Sequence, residues 1–102
     1  MICGVVITED AEDDLEGIYQ HIAISIGEPQ IAWNQIERIR DKILKLNHMP
    51  ERNPVIQYEP WKSREARRVD INNFAAFYVL NTNVVTVIRV LYAKRDLSNI
   101  SL

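Results

Sequence analysis

A chain of 102 residues, 47% hydrophobic and 25% charged, has room for one packed core and is too apolar to stay disordered. Its single cysteine, Cys3, excludes an intramolecular disulfide, and no apolar run approaches the ~18 residues of a membrane span. The formal net charge of −2 excludes a uniformly cationic surface, but the charge is unevenly placed, at −7 over residues 1–30, +1 over 31–61 and +4 over 62–102.

The opening "MICGVVIT" is short, and no basic segment precedes its apolar residues. It therefore predicts a first strand over residues 2–7 rather than a secretion signal, in a soluble cytoplasmic protein. Thr8 is placed to cap a helix, with Glu9 and Asp10 in the first turn where carboxylates complement the helix dipole. Ala11, Leu15, Ile18, Ile22 and Ile26 form one apolar stripe, and the acids between them read as a solvated face. Gly27 and Pro29 end this helix, and Ala32, Ile36, Ile39, Ile43 and Leu46 mark a second that closes before Pro50. Joined by "GEP", the two predict an antiparallel helical hairpin.

"MPERNPVIQYEPWKS" has three prolines and no period, which predicts a surface connection. Beyond it the apolar period becomes two, giving strands over residues 64–71, 74–80 and 84–92 with turns at "NN" and "NTN". The predicted order is β-α-α-β-β-β: one α+β domain over 1–102, with the hairpin packed on a small antiparallel sheet. In the last strand, alternation places Val85, Val87, Arg89 and Leu91 on one face. Arg89 then needs a partner, for which Asp70 and Glu65 are the candidates on neighbouring strands.

No CxxC, HExxH or phosphate-cradling glycine loop is present, so no metal or cofactor is expected. His48 reads as a cation near the second helix's C-terminus. The basic residues of the last forty positions are the chemical lead. Arg64, Arg67 and Arg68 come from the first hairpin strand, and Lys94 and Arg95 follow the last strand beside Tyr92. Guanidinium and ammonium groups suit phosphate or carboxylate recognition. Adjacent arginines point to opposite faces, which makes Arg68, Lys94 and Arg95 the set expected to act together.

The succession "ITEDAEDDLEGIYQHIA", "IRDKILKLNHMPERNP" and "RRVDINNFAAFYVLNTNVVTVIRVLYAKRDL" resembles the RelE/ParE superfamily of bacterial toxins over nearly the whole chain. The resemblance implies a growth-inhibiting toxin neutralised by a cognate antitoxin. RelE-like members cleave mRNA on the ribosome without metal, through sheet lysines and arginines and often a tyrosine near the C-terminus. ParE-like members poison DNA gyrase through protein contacts. Here Arg68 and Arg95 fall at expected cationic positions, with Lys94 assisting. Ala75, however, stands where that nuclease branch often has arginine, and the tail "DLSNISL" has no tyrosine. The expectation is a ParE-like toxin acting on gyrase, with Arg64, Arg67 and Tyr92 available to a partner or phosphate. The alternatives are a ribosome-dependent endoribonuclease and a non-toxic module that only binds the antitoxin.

Overall fold

A computed structural model describes residues 4–100. Ile2 and Cys3 of the expected first strand, and Ser101 and Leu102 of the tail, lie outside the described residues. The elements run β1 (Gly4–Ile7), α1 (Glu9–Gln20), α2 (Pro29–Leu44), β2 (Arg67–Ile71), β3 (Phe74–Asn81) and β4 (Val84–Tyr92). Thr8 caps α1 as expected, its Oγ1 accepting the Ala11 N–H at 3.2 Å.

The first helix does not stay α-helical to Ile26. His21–Ser25 winds wider, with the Ile26 N–H donating to the His21 carbonyl at 3.0 Å, before Gly27 turns the chain at φ +82°. The wider turn rotates the stripe off the core. Ile22 is half-buried, and Ile24 and Ile26 are 75% and 59% exposed. Glu12 and Arg40 join the two helices at 2.8 Å.

The four strands lie in the order β1-β4-β3-β2. The β2-β3-β4 meander is antiparallel as expected, but β1 inserts beside β4 and runs parallel to it, from Gly4 opposite Val84 to Ile7 opposite Val87. The sheet is therefore mixed.

Opposite β3, β4 carries one extra residue. Phe77 faces Arg89 and Tyr78 faces Val87, leaving Ile88 as a bulge. The bulge shifts the alternation that the sequence predicts. Val85, Val87 and Val90 pack with Leu15, Ile39 and Ile43 on the helical face, whereas Ile88 and Leu91 join Trp61, Ala75 and Phe77 on the opposite face. The expected face Val85-Val87-Arg89-Leu91 thus holds only as far as Val87.

Tyr78 anchors the connection after α2. Its hydroxyl donates to the Pro50 carbonyl at 2.5 Å and accepts from Asn53 Nδ2 at 3.0 Å. Burial pushes its pKa up, against the lowering effect of the Asn53 hydrogen bond. A raised phenol pKa means that the unfolded chain loses its proton first. The stabilisation is complete below about pH 10 and is lost as pH rises through the folded value. Wild-type unfolding midpoints should therefore fall in this alkaline range, and Tyr78→Phe should flatten that limb. An unchanged alkaline limb in the variant would show that another group produces it.

Candidate functional site

β1 stops at Ile7, so β4 has no strand neighbour on that side beyond Val87. Thr8 and α1 cover this edge. The Thr8 N–H donates to the Val87 carbonyl at 3.0 Å, and Thr8 Oγ1 donates to the Ile88 carbonyl at 3.3 Å. One turn on, the Asp14 carboxylate accepts three hydrogen bonds: Arg89 Nε at 2.8 Å, Arg89 Nη2 at 3.0 Å and the Val90 backbone N–H at 2.9 Å.

Arg89 therefore pairs with a helix acid, not with Asp70 or Glu65. Asp14 looked like a member of a solvated acidic face, yet its side chain is only 14% exposed. The hydrogen bond from Arg89 to Asp14 raises the arginine's pKa despite the opposing effect of burial, so the guanidinium stays charged.

The face of the sheet away from the helices is closed by apolar groups. Trp61, fully buried, stacks on Phe77 with ring centroids 3.9 Å apart and 9° between planes. Its Nε1 donates to the Leu97 carbonyl at 2.7 Å, which holds the segment after β4 across this face. Asp96 shapes the approach, accepting from the Ser98 N–H and hydroxyl, and those bonds lower its pKa. Leu97 and Ile100 then pack with Trp61, Ala75 and Leu91. Ala75 is 0% exposed, so an arginine side chain would have no space there.

The expected cationic residues occupy different surroundings. Arg68 lies on the closed face, 6.0 Å from the Phe77 ring centroid, with its Nε on Asp70 at 2.7 Å. Arg67 points to the helical side, where Nη1 donates to the carbonyls of Glu51 at 3.1 Å and Asn53 at 2.6 Å. Arg64 ends a short 3₁₀ turn and is exposed, and Lys94 and Arg95 are exposed in the turn after β4. Tyr92 and Arg95 come together on the wall of a groove, whereas Arg68 stands with the Trp61 face.

That groove, about 820 Å³, runs between α1, the tip of the helical hairpin and the C-terminal end of β4. Ile18, Ile22, Ile26 and Ile31 give it an apolar lining, and Asp13 and Glu28 add acidic groups. Gln35 also lines it, with Nε2 buried and without a hydrogen-bond partner. Such a donor carries a cost that an acceptor on a bound chain would relieve. Sequence reasoning missed Asp14, Gln35 and Trp61. Only the i+3/i+4 rows of α1 and α2 offered a signal for the first two, and nothing local marked Trp61.

Three comparisons bear on this geometry. A family model described as the ParE toxin of a type II toxin-antitoxin system, parDE, matches residues 5–97. No curated protein matches the chain. Among solved structures, the chromosomal ParDE toxin-antitoxin system of P. aeruginosa aligns with a TM-score of 0.75 at 18% identity, covering 91% of this chain and 98% of that one. The RelBE2 toxin-antitoxin complex of Mycobacterium tuberculosis aligns at 0.66 and 16% identity, over 90% and 99%. A free double mutant of the E. coli toxin RelE aligns at 0.60 and 15%, over 92% and 86%. At these identities the structural likenesses establish a shared fold.

Proposed function

This chain belongs to the ParE toxin family of type II toxin-antitoxin systems, and on that premise we propose that it arrests growth through protein contacts with DNA gyrase. The observation that carries the choice against RNA cleavage is the closed sheet face. Metal-free cleavage of RNA needs a group to activate the 2′-hydroxyl, cations on the phosphate and a donor for the leaving oxygen. Arg68 is paired with Asp70, Ala75 is sealed beneath the segment after β4, and Leu97 and Ile100 fill the adjoining surface.

Neutralisation is assigned to the groove. A cognate antitoxin would place an amphipathic helix there, its apolar residues against Ile22, Ile26 and Ile31 and its lysines or arginines toward Asp13 and Glu28. Gln35 Nε2 would donate to an acceptor on that helix.

Purified toxin should inhibit gyrase supercoiling and leave mRNA intact in a translating extract. Site-specific cuts in ribosome-bound message would overturn the reading, and unimpaired supercoiling would remove gyrase as the target. Adding antitoxin should restore supercoiling. The Asp13→Lys, Glu28→Lys double variant should need at least ~10-fold more antitoxin, since like charges juxtaposed across an interface cost several kcal/mol and tenfold is about 1.4 kcal/mol.

A further inference from the structure

A second cavity, about 610 Å³, lies between the C-terminal end of α2, the segment after it and the edge strand β2. Lys42, Lys45, His48 and Arg52 line it. They come from three successive pieces of chain, folded back on one another because Met49 adopts a left-handed conformation (φ 47°, ψ 51°) that a side-chain-bearing residue rarely takes. That bend is fastened to the sheet. Tyr78 holds Pro50, and Arg67 holds the carbonyls of Glu51 and Asn53 on either side of Arg52.

Among the described residues, Lys42, Lys45 and Arg52 make no ion pair. Asp70, the one carboxylate residue on the lining, is already bound to Arg68. The rest of the wall is apolar or neutral, including Leu46, Met49 and Val69. Fixed cations beside low-dielectric walls focus a positive potential even on a chain of net charge −2.

We propose that this cleft binds the phosphodiester backbone of nucleic acid, a contact separate from the groove and from the protein-contact mechanism above. A compact single anion is a poorer fit. The cleft lies at the C-terminal end of α2, where the helix dipole is negative and no row of backbone N–H groups is on offer. A polyanion suits it better, because cations spaced along the cleft gain from releasing counterions along a charged strand. The contact reads no sequence.

The test is fluorescence anisotropy with a labelled duplex DNA of mixed sequence and the full-length toxin, between 50 and 200 mM salt. Three phosphate contacts predict that log K falls against log [salt] with a slope of about −2.7. Lys42→Glu with Lys45→Glu should weaken binding at least ~10-fold and bring the slope to about −0.9, the value for one contact. The uncharged pair Lys42→Gln, Lys45→Gln should behave similarly, and circular dichroism would confirm that both variants fold. Reversing Lys62, an exposed cation outside this cleft, should leave the slope unaltered. No binding at 50 mM salt overturns the proposal. So does an equal loss in the Lys62 control, or displacement of the DNA by inorganic phosphate at constant ionic strength.

Discussion

Asp14→Ala should cost the toxin about 3 kcal/mol or more, since it removes two hydrogen bonds between charged groups, each worth about 1.5–3 kcal/mol. The substitution deletes three hydrogen bonds, two from the Arg89 guanidinium, 19% exposed, and one from the Val90 N–H. For a domain of this size each kcal/mol lowers the melting temperature by roughly 4–8 °C, so a shift well beyond 10 °C is expected. Asp14→Asn keeps an acceptor and should lose less. Replacing both partners, with Arg89→Met beside Asp14→Ala, should recover part of the loss because apolar groups then take the place of a partly buried ion pair. Because the pKa of Arg89 is raised, its contribution is present below the ordinary arginine value and persists across the neutral range. Urea unfolding of wild type, Asp14→Ala, Arg89→Met and the double variant gives the cycle. A single-variant loss below 1 kcal/mol would mean that solvent replaces the carboxylate and that the pair is not needed to fasten α1 to β4.

Trp61→Ala should have an effect of similar size, about 3–5 kcal/mol, because it empties the largest fully buried side-chain site. It also removes the stack on Phe77 and the hydrogen bond to the Leu97 carbonyl. The segment carrying Leu97 and Ile100 would then lose its principal anchor, and limited proteolysis should cut after β4 faster than in wild type. Trp61→Phe separates the contributions. It keeps most of the ring packing and loses one hydrogen bond, worth about 0.5–1.5 kcal/mol. If Trp61→Ala stays within 1 kcal/mol of wild type and resists cleavage equally, the closed face is not held by this residue. The segment after β4 would then not bar the sheet face to RNA.

The helices and the meander were legible because their determinants are local. Thr8 caps α1, Pro29 opens α2, and turns at Asn72 and Thr82, both with positive φ, join strands of period two. What was not legible depends on pairings distant in sequence. A short strand ahead of a helix says nothing of which edge it will join, so the parallel register of Gly4–Ile7 on Val84–Val87 could not be read from its residues. The Ile88 bulge leaves no mark in a run of alternating Val and Ile, yet it moves Leu91 to the opposite face. Asp14 is one of six acids clustered between Glu9 and Glu16, and composition cannot single out the member that meets Arg89. The candidate cations fared similarly. Their positions in the strands were readable, but the groove that unites Tyr92 with Arg95 depends on where the hairpin tip lies.

The insertion of β1 beside β4 also sets a clock on synthesis. Gly4–Ile7 must wait for Val84–Val87, which follow them eighty positions later. At roughly 5–20 residues per second, that delay is about 4–16 s. Meanwhile the helical hairpin exists without the last strand, and Asp14 without Arg89. Contacts this distant in sequence close late, so the nascent chain acquires neither its finished sheet nor the groove until β4 has been translated. The groove proposed for an antitoxin, walled by both α1 and β4, is then completed at the same moment as the fold itself.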